Sequence, residues 1–260
     1  MTLADQYDGF LVDLDGVVWI GRDPLPGAAE TLMALLAAGK EVVFVTNNPA
    51  RPPERFAERL CKMGVEVPPE RVVTAGMVVA RLAGEAANGG GAFVIGEAPL
   101  KEMVAAHGAH VLEGEAAEAA GVVVVSGHRG FDYAELLTAK RALDAGAALF
   151  ATSHDPTMPM PGGEWPGTGA VLAAVETASG RAAEIGGKPE RHLFEMALEA
   201  IGRPPRVAMI GDRVSSDIAG GHAAGLATIL VLSGTTSRAE AEAAEPRPDH
   251  VVDDLAGLLR

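Results

Sequence analysis

The 260-residue sequence contains a single cysteine, Cys61, which excludes an intrachain disulfide. Cys61 falls in a helix-like run with Phe56, Leu60 and Met63, a setting that predicts a buried filler side chain rather than a reactive thiol. Aromatic residues are scarce, at 4%, so aliphatic side chains and alanine must fill most of the core, with hydrophobic residues at 48% overall. Positive charge is in short supply: 21 Lys and Arg stand against 35 Asp and Glu, for a formal net charge of −14. That balance argues against non-specific binding to nucleic acid or to an anionic membrane, because both need a basic surface. It also requires that any anionic ligand be drawn in by local cations or a metal. No apolar run approaches the roughly 18 residues of a membrane span. The opening residues lack a basic-then-apolar signal pattern. The expectation is a soluble, cytoplasmic protein with neither nucleic acid nor membrane as a partner.

What the chain does have is an alternation of short apolar runs and helical spacing. Residues 9–13 (Gly-Phe-Leu-Val-Asp) read as a strand, and residues 27–38 as a helix with Leu32, Leu35 and Leu36 on one face, ended by Gly39. Residues 41–45 predict a second buried strand, 53–63 an amphipathic helix and 72–74 a third strand. The rhythm returns late, with a helix over 191–201, a strand over 207–210, a short helix over 217–224, and strands over 227–231 and 250–252. A terminal helix carries Leu255, Leu258 and Leu259. Strands alternating with helices build a parallel sheet covered on its faces.

The middle of the chain carries strands over 92–95, 122–125 and 148–151 and helices over 100–106 and 133–144, enough for a core of its own of about 100 residues. The glycine clusters at 89–91 and 186–187 read as tight joints near its ends, too short for flexible linkers. The expected architecture is α/β: a discontinuous Rossmann-like parallel-sheet core of residues 1–77 and 183–260, with an inserted α/β domain over 78–182.

In an open parallel sheet, reactive groups gather at the carboxyl ends of the strands. Asp13-Leu14-Asp15-Gly16 ends the first strand and Thr46-Asn47-Asn48 the second. Gly186-Gly187-Lys188-Pro189 opens the helix after the middle block. Gly211-Asp212-Arg213, followed by Ser215, Ser216 and Asp217, ends the late strand. Taken singly these are ordinary. Asparagine favours turns, a lone lysine is usually a surface residue, and Gly-Asp with a following Asp fits a capped helix start.

Together they make a phosphoryl-transfer set. Asp13 and Asp212 can offer two carboxylates to a hard cation such as Mg2+, while Lys188 and Thr46 neutralise the remaining charge on a phosphate. Asp15, two residues past a nucleophilic Asp13, can serve as general acid and then as base. Gly16 lets the chain turn beside a bulky anion. A phosphorylated receiver module shares the aspartate, hydroxyl, lysine and parallel sheet, but needs neither a second aspartate at position 15 nor a long insert between Thr46 and Lys188.

These four motifs resemble those of the haloacid dehalogenase superfamily, and specifically its class IIA phosphatases. That branch includes 4-nitrophenyl, phosphoglycolate, glycerol-3-phosphate, pyridoxal phosphate and nucleotide phosphatases. The resemblance spans nearly the whole chain, since an insert between the second and third motifs is the class II, type C2 cap arrangement. Ala151-Thr152 with Asp155, and Gly167-Thr168-Gly169-Ala170, also look like that class.

The resemblance implies hydrolysis of a small phosphorylated metabolite through an aspartyl-phosphate on Asp13, with a phosphomutase or other phosphotransferase as the alternative within the superfamily. It implies Mg2+ held by the side chains of Asp13 and Asp212 and the backbone carbonyl of Asp15, with Asp217 holding the metal or its waters. Thr46, Asn47, Asn48 and Lys188 are then the phosphate-binding groups, and a homodimer formed through the cap is the assembly that relatives often adopt. Dehalogenases and phosphonate-cleaving relatives would dispense with the metal or use a cap lysine, for which only Lys101 and Lys140 are available.

Two departures stand out. Ser216 replaces a threonine common in relatives, and Ser153-His154 replaces an asparagine-proline before Asp155, which bears on what the cap selects. His154 and Asp155 are candidate substrate readers or ordinary loop residues. His128 and Arg129 can meet an anionic substrate tail or simply end a strand. Arg213 reads as a structural partner for nearby carboxylates, Trp19 and Trp165 as packing residues, and Met158 and Met160 as adaptable surface. The glycine-rich 162–169 segment lacks the lysine of a nucleotide P-loop.

Overall fold

Buried runs from the two ends of the chain meet in one sheet. The computed structural model describes residues 2–49, 51–160 and 163–260, without the side chains of residues 159, 160 and 164. The adaptable surface expected at Met160 and the start of the 162–169 segment therefore lie outside the described residues. The chain divides into two compact units: Met1–Thr46, Pro53–Val73 and Lys188–Arg260 form the first, and Asn47–Pro52 with Thr74–Gly187 the second.

The first unit holds a six-stranded sheet in the order His250–Val252, Ala227–Val231, Val207–Gly211, Gly9–Asp13, Glu41–Thr46, Val72–Thr74. Gly9–Asp13 runs parallel to both its neighbours, and Val207–Gly211, Ala227–Val231 and His250–Val252 continue the parallel pairing. Every residue of Gly9–Asp13 is buried, as befits the interior of a parallel sheet, where neither face meets water. From this strand the chain builds outward on one side through Glu41–Thr46 and later returns on the other through Val207–Gly211. The order reverses at Gly9–Asp13, so its carboxyl end is the switch point at which open α/β sheets bind ligands.

The helix Ala28–Ala37 covers part of this sheet by burying Ala28, Thr31, Leu32 and Leu35, one face at helical spacing. Gly39 then adopts a left-handed φ of 73° and ends the element. The few aromatics are concentrated inside: Trp19, Phe10, Phe44 and Phe194 are among the largest fully buried side chains. Each contributes about 1.5–3 kcal/mol through burial. Helix Pro53–Lys62 buries Phe56, Ala57 and Leu60. Cys61, expected inside, is exposed. One residue past Leu60 the helix has turned by about 100°, which carries Cys61 off the buried stripe.

The second unit has its own five-stranded sheet, ordered Glu184–Ile185, Ala148–Ala151, Val122–Val125, Gly91–Ile95, His110–Val111 and parallel at every pairing. Val123 and Val125 pack with Leu143 and Leu172 on one face, and Val122 and Val124 with Val79, Ala83 and Leu100 on the other. Period-two alternation along Val122–Val125 thus feeds two cores.

This unit extends beyond the 78–182 span at both ends: at one, the helix Ala75–Ala87, which the sequence did not reveal, packs into it through Val79, Ala80 and Ala83, and at the other the strand Glu184–Ile185 pairs with Ala148–Ala151. Its N-terminus is capped by Thr74, whose hydroxyl accepts the Met77 N–H at 3.2 Å. The glycines at 89–91 are accordingly a helix-to-strand turn inside the second unit and not a joint at its boundary. The helix Thr168–Ser179 and the hairpin Thr157–Met160/Gly163–Pro166 were likewise unforeseen. Trp165, read as a packing residue, lies on that hairpin and is 41% exposed. Among the described residues no helix is long and apolar enough to cross a membrane.

Candidate active site

Strand register brings the first-unit motifs to one end of the sheet. Asp13 pairs with Val45, and Val12 with Ile210, so Asp13, Thr46 and Asp212 leave three adjacent strands at nearly the same level. Asp13, Thr46, Lys188, Asp212 and Asp217 are all buried. Lys188 Nζ donates to Asp13 Oδ1 and to Asp217 Oδ1, each at 2.6 Å.

Asp217 is not in the plain helix expected over 217–224. A wide π-type turn, Val214–Ile218, comes first and leads into the helix Ala219–Ala223. The turn aims Asp217 back at its own start, where Oδ2 accepts the Arg213 N–H at 3.0 Å. Arg213 therefore partners a carboxylate through its backbone, while its side chain is exposed.

One oxygen from each of Asp13, Asp212 and Asp217 lies within 4.8 Å of the others. Asp212 Oδ2 accepts the Thr235 N–H at 2.7 Å, whereas Asp212 Oδ1 is buried with no hydrogen-bond partner among the described residues. A buried carboxylate oxygen without a partner is costly. Three carboxylates and one ammonium leave two negative charges here, which a divalent cation would neutralise. The donors are all oxygen, which suits a hard cation such as Mg2+.

The titration behaviour follows from the same crowding. Burial pushes the Asp13 carboxyl well above the usual aspartate range; Lys188 opposes this, while Asp217 and Asp212 add to it. Asp212 is raised by burial and by Asp217, against the Thr235 hydrogen bond. For Lys188, burial works to lower the pKa, but Asp13 and Asp217 outweigh it and hold the ammonium charged.

Asp15 is set apart from this cluster. Burial raises its carboxyl, and the Trp19 indole N–H, donating to Oδ1 at 3.0 Å, is the main influence in the other direction. Trp19 is thus a packing residue with a second task, orienting Asp15. The turn between them is closed by Gly16 N–H donating to the Trp19 carbonyl at 2.7 Å. Gly16 has φ 89°, and a Cβ there would sit 2.4 Å from Asp212 Oδ2. Only glycine permits both the turn and the approach.

Asn47, Asn48, His154 and Asp155 belong to the second unit. Within it, Asn47 Nδ2 donates to Asp155 Oδ2 at 3.2 Å, while Asn48 and His154 are exposed. Asp155 therefore engages the loop that follows Thr46. His128 Nδ1 pairs with Glu135 Oε2 at 2.9 Å, and the Arg129 guanidinium lies over the Trp165 ring at 5.1 Å. Sequence reasoning passed over two features that contact the candidate site residues. One was the hydrogen bond of Trp19. The other was the Ser233-Gly234-Thr235-Thr236 loop, which follows the strand Ala227–Val231 and could have been found by the same strand-end rule.

Comparison with known proteins gives a consistent result. Residues 10–110 match the family model described as haloacid dehalogenase-like hydrolase, and a second hydrolase-like model of that group matches residues 185–258. The chain is 37% identical to chronophin of Mus musculus over 271 residues, covering 98% of this chain and 92% of that protein. It superposes with a TM-score of 0.90 on the glycerol phosphate phosphatase of Mycobacterium tuberculosis in complex with magnesium, at 35% identity, covering 99% of this chain and 78% of that one. The p-nitrophenyl phosphatase of Archaeoglobus fulgidus superposes with a TM-score of 0.90 at 30% identity, covering 98% of both chains.

Proposed function

The chain belongs to the haloacid dehalogenase-like hydrolases, and from that premise we propose that it hydrolyses a small phosphomonoester through an aspartyl-phosphate formed on Asp13. It is a phosphatase of that family, and its metal is Mg2+. The observation that carries the mechanism is the buried set of Asp13, Lys188, Asp217 and Asp212 at the switch point of the sheet.

Asp13 and Asp212 would hold Mg2+ through their carboxylates and Asp15 through its backbone carbonyl, with Asp217 within reach of the cation or its waters. Bound there, Mg2+ supplies charge neutralisation for the phosphate and for the crowded carboxylates. The residues do the rest. Asp217 fixes Lys188 beside Asp13, where the ammonium offsets charge on the transferring phosphoryl group. A carboxylate oxygen of Asp13 forms a bond to phosphorus as the bond from phosphorus to the ester oxygen breaks. Asp15, whose carboxyl is raised by burial, gives its proton to that leaving oxygen. The resulting Asp15 carboxylate then takes a proton from water, whose oxygen attacks phosphorus and frees Asp13. Trp19 N–H keeps the Asp15 carboxyl in one orientation through both steps. A receiver module would have no use for this second, oriented acid.

Phosphate release from 4-nitrophenyl phosphate, glycerol phosphate and a broad panel of phosphorylated metabolites tests the reading. Release should require Mg2+, stop in chelator and resume when Mg2+ is restored. Release that persists in chelator, or an isomeric phosphorylated product in place of inorganic phosphate, would sink it.

We assign substrate selection to the 74–187 part of the second unit, and phosphate contact to Thr46, Asn47, Asn48 and Lys188. Asp155 then acts through Asn47. Asp155→Ala should raise KM for 4-nitrophenyl phosphate about tenfold with kcat within about threefold, the size expected when one charge-assisted hydrogen bond is lost. Steady-state kinetics with saturating Mg2+ measures this. An unchanged KM would reduce the Asn47–Asp155 bond to a local folding contact, and Asp155 would drop from the set of substrate-reading groups.

A further inference from the structure

We infer that the 233–236 loop, Ser233-Gly234-Thr235-Thr236, is a positioning element that fixes Asp212 for the divalent cation and ties it to the turn bearing Asp13 and Asp15. The inference rests on Asp212 being a metal ligand, as proposed above.

The loop follows the strand Ala227–Val231, which pairs with Val207–Gly211 up to Gly211 opposite Leu230. The chain leaving it therefore passes beside Asp212. Thr235 N–H donates to Asp212 Oδ2 at 2.7 Å. Thr236, which is buried, donates twice to the Asp212 backbone carbonyl, through Oγ1 at 2.6 Å and through N–H at 3.2 Å. At the other end of the loop, Ser233 Oγ donates to the Gly16 carbonyl at 2.8 Å. Four residues thus bridge two of the loops that carry the site's carboxylates.

Sterics complete the clamp. A Cβ on Gly234 would lie 2.1 Å from Asp212 Oδ2, and one on Gly16 2.4 Å from the same oxygen. With backbone packed against it from two sides, the carboxylate has little freedom to rotate. The donors fall on the backbone carbonyl and on Oδ2, and Oδ1 is the oxygen left buried without a partner among the described residues. The loop satisfies every acceptor of Asp212 except the one a cation needs. Groups that orient a metal ligand in this way typically change metal affinity by about 10–100-fold when removed.

Calorimetric titration of the full chain with Mg2+ tests the inference, with thermal unfolding in chelator recorded alongside to confirm folding. Thr236→Val removes the hydroxyl at nearly constant volume and should weaken Mg2+ binding about 10–100-fold. Thr236→Ser should return it to within about threefold of the wild type. Gly234→Ala drives a methyl group at Oδ2 and should weaken binding by about 100-fold or more; Ser233→Ala should weaken it by about tenfold.

Wild-type affinity in Thr236→Val or Gly234→Ala overturns the inference, as does a Thr236→Ser variant no better than Thr236→Val. Should Thr236→Val fail to fold, Gly234→Ala and Ser233→Ala decide by the same criterion. A wild-type protein that binds no Mg2+ overturns the ligand assignment itself. If the wild type binds Mg2+ yet hydrolyses no ester in the panel, the catalytic reading fails, and the positioning role still stands or falls on the affinities.

Discussion

Asp13→Asn is expected to leave the protein folded and to lower kcat for 4-nitrophenyl phosphate by about 10^4–10^6-fold, the usual scale when a covalent nucleophile is removed. The asparagine has the shape of the aspartate, and its carbonyl can still accept the Lys188 ammonium that now lies 2.6 Å from Asp13 Oδ1. What disappears is the carboxylate that the proposed mechanism bonds to phosphorus. An amide oxygen is a poor nucleophile, and the two carboxylates clustered with Asp13 are already engaged. Asp217 already accepts from Lys188 and from the Arg213 N–H, and Asp212 is held by the 233–236 loop. The measurement is 4-nitrophenolate release with Mg2+ saturating, alongside a search for phosphate bound covalently to the chain after acid quenching. Wild-type protein should trap label and the variant none. A loss of less than about 100-fold, or label trapped equally by both, would remove Asp13 from the role of nucleophile.

Much of this site was legible before any coordinates, for identifiable physical reasons. Asp13 and Asp212 each close a buried apolar run, so strand ends and candidate carboxylates were found together. The strands Val72–Thr74, Val122–Val125, Ala148–Ala151 and Ala227–Val231 coincide with their sequence expectations, being apolar runs too short for a helix and rich in β-branched or aromatic residues. Lys188 was legible as a cation of the site, but its pairing was not. Its partners lie 175 and 29 residues away, and only the fold determines which carboxylates a lysine meets.

Other features gave no contrast to read. Helix Ala75–Ala87 follows the strand Val72–Thr74 with no proline or glycine between them, so no breaker marked where the strand ends and the helix begins. Thr235 and Thr236 resemble ordinary turn residues until their donors are seen to converge on Asp212. Cys61 failed for a related reason: the apolar stripe through Phe56 and Leu60 was correct, but one residue of helical rotation separates a core position from a surface one.

Asp212→Asn should separate function from stability in opposite directions. Asp212 is only 1% exposed, its Oδ1 has no hydrogen-bond partner among the described residues, and the Asp217 carboxylate repels it. Without Mg2+ the wild type carries an uncompensated buried charge, a defect that costs about 1–3 kcal/mol. An asparagine removes the charge, keeps an acceptor for the Thr235 N–H, and places an amide donor near the other carboxylates. In chelator at neutral pH the variant should melt above the wild type by about 2–4 °C per kcal/mol relieved. Adding Mg2+ should reverse the order. The wild type gains about 2.7 kcal/mol at a hundred times its dissociation constant, whereas the variant, lacking one carboxylate ligand, gains little and loses most of its activity.

The pH dependence carries the sign. Burial lifts the folded-state pKa of Asp212 above its ordinary value of 3.8. Below about 3.8 the group is protonated in both states and carries no penalty. As pH rises through 3.8 and past the raised folded value, the unfolded chain ionises first and the folded state is progressively disfavoured. The advantage of asparagine in chelator should therefore be full at neutral pH and vanish near pH 3.8. A variant that melts below the wild type in chelator at pH 7, or that keeps the wild-type Mg2+ shift, would show that Asp212 is a structural carboxylate. The site would then have to hold its cation through Asp13, Asp217 and the Asp15 carbonyl, without Asp212.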